Sequence, residues 1–376
     1  MISHVVRRGL ESPEAVSFIK RLSQEGPKIE IPPWGVGIMG TTFVAFMLFA
    51  CAIEYTLKVV VATLAMVETP SAAITISPSS EYAPIKDKEG LVETGPTITL
   101  VHQKPITSSI RGTIRHLVEN AGRFSRWRGI KLAILYSISF SVVGSLLEAI
   151  FPPVPCRMLF VSALAGAATA NLHATWTHKI ISMPTQKSFR ERLVSRSSWK
   201  QLALPAAVSA SSKYATVYIA QGLIILLGLD RVGNDNFADY TGGEWTGLIA
   251  RFIAIFVVLL SCTVFLILPA LVTLIRVEAS ILPEDQDTIV PFDRSFAGKV
   301  VPKILGGTGA IGFVESWKSF NWEARRRVIK LYVKVFAIIS LVVFVLAHVL
   351  VFELWAIMGP ALGKFLAQAK SAGYLD

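Results

Sequence analysis

Apolar residues gather in six long blocks, at roughly 35–67, 130–150, 154–175, 201–229, 247–275 and 331–358. Each is near the ~20 residues that carry a helix across a bilayer, or longer, so the pattern predicts six membrane-spanning helices. Only Phe151-Pro152-Pro153 separates the second block from the third. Prolines suit a tight hairpin there, because the backbone must leave the helix. The long first and last blocks imply tilt or extension beyond the bilayer.

The polar stretches between blocks alternate in length and charge. The segments after blocks one, three and five carry 23 Lys and Arg, whereas both termini and the other two connections together carry 8. The positive-inside rule places the three basic loops on one face and both termini on the other. Residues 69–110 are rich in Ser, Thr, Pro and Glu and read as a mostly flexible insert. The opening MISHVVRRGLESPEAVSF lacks the apolar core of a secretory signal, and Glu11 and Glu14 argue against a transit peptide.

Composition narrows the class. Of 376 residues, 52% are apolar and 17% charged, against about 25% charged in soluble domains, and mean hydropathy is +0.54. A soluble globular enzyme and a disordered chain are excluded. The net charge of +11 fits topology and anionic lipid better than nucleic acid. Cys51, Cys156 and Cys262 lie in or beside apolar blocks and form neither a disulfide framework nor a metal motif.

Long and short connections alternate as three hairpin units would. The odd blocks all end shortly before a proline, Pro70, Pro184 and Pro283, and each basic loop holds an aromatic–basic pair: Trp127-Arg128-Gly129, Trp199-Lys200 and Trp317-Lys318. The expected organisation is an N-terminal tail (1–34), repeats at 35–153, 154–246 and 247–358, and a C-terminal tail (359–376). Six helices in three such repeats resemble the mitochondrial carrier family. Gly122-Arg123-Phe124-Ser125-Arg126-Trp127-Arg128-Gly129-Ile130 is similar to its matrix-loop signature. Pro269-Ala270-Leu271-Val272-Thr273-Leu274-Ile275-Arg276-Val277-Glu278 is similar to the end of its odd-numbered helices. Pro269 and Arg276 fit that motif, and Glu278 stands where Gln is usual.

The resemblance implies an all-α, polytopic mitochondrial membrane protein, with inner membrane favoured over outer. It implies transport of a small, anionic metabolite through a central cavity. The motifs themselves predict no cofactor, no metal and no enzyme activity. The resemblance also exposes a departure. Alignment on the three prolines puts Lys58, Leu172 and Leu271 at the family's acidic gate positions and Val61, Thr175 and Leu274 at the basic ones. No ring of ion pairs can form from these, which points to an apolar gate and to a non-transporting scaffold or insertase as the rival of a transporter.

Charges inside the bilayer are costly and mark functional candidates. Lys213 lies mid-block beside Ser209 and Ser212, and the three are read as lining a substrate site with Tyr136. Glu54 and Lys58, four apart, share a helix face and form a candidate gate pair. Glu148, Gln221 and Glu353 end the even blocks; Phe352-Glu353 resembles the family's cytoplasmic-side motif without its basic partner. The aromatic–basic pairs, with Arg325, Arg326 and Arg327, are read as lipid contacts, cardiolipin among them. Gly307-Thr308-Gly309-Ala310-Ile311-Gly312 fits G-x-G-x-x-G but lacks the strand context of a dinucleotide site. His173 and His178 are five apart, which does not suit zinc on one helix face.

Overall fold

The computed structural model describes residues 32–69, 72–77, 97–102, 104–232, 240–301 and 305–359, with Gly363, Lys364 and Ala367. Most of the two expected tails and the centre of the insert lie outside the described residues.

All six apolar blocks are helical. They form α1 (Pro33–Val67), α3 (Ile130–Ile150), α4 (Arg157–Ala168) with α5 (Ala170–Ile181), α6 (Trp199–Leu226), α7 (Gly242–Ser280) and α9 (Trp322–Met358). Two shorter helices, α2 (Ile110–Ala121) and α8 (Phe313–Lys318), precede α3 and α9. Four helical stretches are long and apolar enough to cross a membrane: α1, the Arg123–Ile150 stretch that contains α3, α7 and α9. The bent pair α4–α5 makes a fifth if it is one span. Helix α6 is not among them, because Ser209, Ser211, Ser212, Lys213, Tyr214 and Thr216 dilute its apolar run. The architecture is therefore helical, with four or five helices among the described residues long and apolar enough to cross a membrane, where the block pattern predicts six.

The insert is less open than its composition predicts. Strands β1 (Ala72–Ser77) and β2 (Thr97–His102) pair antiparallel from Ala72↔His102 to Ser77↔Thr97. Both segments are rich in β-branched residues, which favour extended backbone. Beyond them Ile106–Ser108 forms a 3-10 turn held by the buried Glu68 carboxylate, which accepts from Ile106 N, Thr107 N and Thr107 Oγ1.

Helices α1 and α7 are interrupted internally, and α4 and α5 are separated by a break. Helix α1 loosens to π geometry over Tyr55–Val61 and α7 over Thr263–Ile267, while α4 and α5 meet at Thr169 with a 62° bend. The same chemistry stands at all three places. Thr56 Oγ1 donates to Ala52 O, Thr169 Oγ1 to Ala165 O and Thr263 Oγ1 to Leu259 O, each four residues back. Such back-bonding competes with the backbone ladder and bends helices. In α7 Pro269 adds a second cause, since it has no N–H to give to the preceding turn.

Beyond the breaks the ends of α1, α5 and α7 converge. Leu64, Ala65 and Met66 pack with Ile180, Ile181, Val272 and Ile275 in one dry core. The remaining helices follow chain order around it: α3 packs on α4, α4 on α6, α6 on α7, and α9 returns to α1. Phe256 and Phe336 stack between α7 and α9, with ring centroids 6.0 Å apart. The α4–α6 contact is the closest. A Cβ on Gly166 would lie 2.7 Å from both Ala206 O and Ala210 Cβ. Gly166→Ala must therefore push the helices apart and is expected to cost about 1–3 kcal/mol, read as a lower thermal midpoint in detergent. Gly37→Ala, with open space around its Cβ, should leave the midpoint unchanged or raised.

Candidate functional site

Helix C-termini end in carbonyls that no intrahelical N–H can reach. Three such ends meet at the basic face of this protein, and at two of them arginines from elsewhere in the chain take up the carbonyls. At α1, Arg276 Nη1 donates to Met66 O at 3.1 Å and Arg327 Nη2 to Ala65 O at 3.2 Å. At α5, Arg128 Nε donates to Lys179 O at 3.1 Å and its Nη2 to Ser182 O. After α7, Arg294 Nη1 donates to Pro283 O at 2.9 Å and its Nη2 to Gln286 O. Cations there also oppose the negative ends of the helix dipoles.

Arg276 is the most enclosed of the four, at 5% exposed. Its Nε donates to Ser316 O and its Nη2 to Ser319 Oγ, and the guanidinium lies 4.8 Å and 5.3 Å from the Phe296 and Phe320 ring centres. Two residues on, Glu278 has no exposed surface. Its Oε1 lies 2.6 Å from His173 Nδ1, its Oε2 accepts from Thr177 Oγ1 at 2.6 Å, and its carbonyl accepts from His178 Nε2 at 2.7 Å. A carbonyl can only accept, so His178 carries its proton on Nε2. Arg276 and Glu278 thus tie α7 to α1, α5 and α8.

A strap crosses this closure. Residues 283–292 bond both neighbouring helix ends through backbone: Ile289 N to Ile181 O, Met183 N to Asp287 O and Thr69 N to Pro291 O. Lys187 donates to Asp285 on its exposed edge and holds that carboxyl below the usual carboxylate range. The proline-aligned gate positions match an apolar closure in part: Val61, Thr175 and Leu274 are buried within it, while Leu172 and Leu271 are half-buried and Lys58 is exposed.

No protein-family model, no curated protein and no solved structure matches the chain. Function must therefore be argued from the geometry.

The sequence candidates divide accordingly. Lys58 Nζ donates to Glu54 Oε1 at 2.8 Å along one helix face, with both side chains half-exposed. Lys213, on α6, is likewise exposed. Ser209 and Ser212 do not share its exposed face. They are 6% and 4% exposed, and Ser212 Oγ donates to Ser209 O. The buried stripe Leu202, Ala206, Ser209, Ser212, Thr216 points into neighbouring helices, and Lys213 lies one residue around the helix from it. Tyr136 is packed against His173 and Trp176, at 4.9 Å and 5.8 Å between ring centres.

The far ends of the even helices are not joined into a network. Glu148 pairs with Arg157 across the α3–α4 hairpin, Glu353 accepts from Thr42 of α1, and Gln221 is exposed. Among the expected lipid contacts, Arg128, Arg325 and Arg327 are engaged within the protein. Arg325 donates to Phe320 O and Trp317 O and lies 4.0 Å from the Trp317 ring centre. Gly129, at φ +74°, faces the Trp176 ring, which a Cβ would approach to 2.9 Å. Trp127, Trp199, Lys200, Lys318 and Arg326 remain exposed, and Trp317 is half-buried.

Removing the Glu278 carboxylate leaves the His173 and Thr177 donors unsatisfied in a dry site. Glu278→Ala is expected to destabilise by about 3–5 kcal/mol, the usual cost of breaking a buried charged network. Glu54→Ala, which removes a half-exposed i,i+4 pair, should cost no more than about 0.5 kcal/mol. Thermal unfolding of the two variants in the same detergent compares them directly.

Proposed function

We propose that this chain is a carrier-like mitochondrial membrane protein that works as a one-sided binding scaffold, not as an alternating-access transporter. Its ring would be open towards the termini and fixed shut at the basic face. The observation that carries the reading is the dryness of the Arg276 and Glu278 ties. A gate that opens in each cycle works with ion pairs that water can reach when they part. Here opening would strand a buried guanidinium and a buried carboxylate, each at a cost of several kcal/mol, and would also peel the strap from two helix ends.

The second reading is transport of a small anionic metabolite. It is favoured by Lys58 and Lys213, two exposed cations on apolar helical stretches, of which Lys58 is paired with Glu54. The three threonine-marked breaks also suit it, since they supply a hinge in each of α1, α4–α5 and α7. Both readings keep the six-helix, three-repeat organisation, which the chain-order packing of the helices supports.

A single cysteine separates the two. In a background with Cys51, Cys156 and Cys262 replaced by Ser, Lys213→Cys is exposed to a membrane-impermeant thiol reagent from each face of sided vesicles. The scaffold expects labelling only from the face that carries the termini. Labelling at comparable rates from both faces would overturn it in favour of transport. Protease protection of a C-terminal tag in intact and ruptured mitochondria assigns the membrane: digestion in intact organelles means outer, protection lost on rupture means inner.

A further inference from the structure

The closure at the basic face contains one strained turn. In the loop after the strap, Phe296, Ala297 and Gly298 all take left-handed backbone, with φ of +51°, +57° and +80°. Gly298 does so freely, but Phe296 and Ala297 bring their Cβ atoms against the following carbonyl oxygens. Two adjacent residues with side chains in this conformation are an outlier of the kind that clusters at clamps and switches.

The turn has a catch and a wedge. Asp293 is the catch. Its Oδ1 accepts from Ser295 N at 2.9 Å and from Ser295 Oγ at 2.6 Å, and its Oδ2 accepts from Ala297 N at 2.7 Å. Phe296 is the wedge. Ser295, Ala297, Gly298 and Lys299 are exposed, while Phe296 among them is only 4% exposed. Its ring belongs to the buried cluster that holds Ala174 of α5, Leu202 of α6 and Val277 of α7. There it covers the Arg276 guanidinium at 4.8 Å, with Phe320 at 5.3 Å from the same group. An exposed turn thus drives a single side chain between three helices and over the charge that ties α7 to α1.

We infer that residues 293–298 form a sprung latch on the basic face. Latched, Phe296 keeps water off Arg276. Released, the turn relaxes to right-handed backbone, the ring swings into solvent and the guanidinium is hydrated. Its bonds to Met66 O and Ser316 O can then part without stranding a dry charge. The latch belongs to the closure proposed above and rests on that reading.

The test uses the full chain in sided vesicles, with Cys51, Cys156 and Cys262 replaced by Ser and one new cysteine at a time. Val277→Cys reports on the cluster that Phe296 enters. Val272→Cys, five residues earlier on the same helix, reports on the main core; both valines are no more than 1% exposed. A membrane-impermeant maleimide on the basic face should label Val277→Cys at least about tenfold faster, because local release is more frequent than opening of the whole core. Ala297→Gly removes one left-handed penalty and should slow that labelling by about 5–30-fold, whereas Asp293→Ala frees the catch and should speed it. Equal rates at the two cysteines would mean that no local release occurs, and a rate unchanged by Ala297→Gly would mean that release does not pass through the turn; either overturns the latch. Ala297→Gly relieves strain and keeps the fold, so it decides the matter even where Asp293→Ala does not fold. Neither result touches the closure itself, which falls instead when Lys213→Cys is labelled at comparable rates from both faces.

Discussion

Three helix C-termini pointing at one place bring together carbonyls and negative dipole ends that repel one another. Everything else at the basic face of this protein answers that constraint. Arg128, Arg276 and Arg327 take the carbonyls of helix ends from other parts of the chain, and Arg294 holds the loop that follows α7; the apolar core of α1, α5 and α7 closes among them. The buried Glu278 shows the same logic in reverse. It stands among His173, Thr177 and His178, which give it three hydrogen bonds where water gives none.

The fold was largely legible in the sequence because burial in lipid and burial in protein both demand long apolar runs. Helix α3 spans the predicted block residue for residue, and the other blocks are met within a few residues at most ends. The exceptions have separate reasons. The bend in the third block lies at Thr169, a residue that gives no strong signal by itself, and the block runs on as α5 to Ile181. Helix α9 begins at Trp322 instead of near 331, because Asn321 caps it and a basic first turn can be helical outside the apolar window. The ribbon β1–β2 was masked by the Ser, Thr, Pro and Glu content that surrounds it.

The candidate site was legible only in part, because charge says where a residue is unusual and not which partner it has. Arg276 and Glu278 stood out through their place in a motif, and both are buried and hydrogen-bonded between helices. Arg128 and Arg327 stood out as cations near a membrane boundary, and the oxygens they meet in the structure are backbone carbonyls of the protein itself. His173 and Thr177, four apart on one helix face, carried a findable signal that zinc spacing obscured. Asn171 had none, since it meets Val194 and Ser195 only through a loop that returns 23 residues later to the bend.

The apolar closure between α1, α5 and α7 is also an electrical insulator. Any potential across a membrane holding this ring falls over the segment that excludes water and ions, not over the wider interior beyond it. A unit charge crossing the full drop gains or loses about 2.3 kcal/mol per 100 mV. Lys58 lies on α1 ahead of the plug, so it sits near the potential of the side from which α1 enters. A charge held there is bound by local fields alone, indifferent to how strongly the membrane is energised.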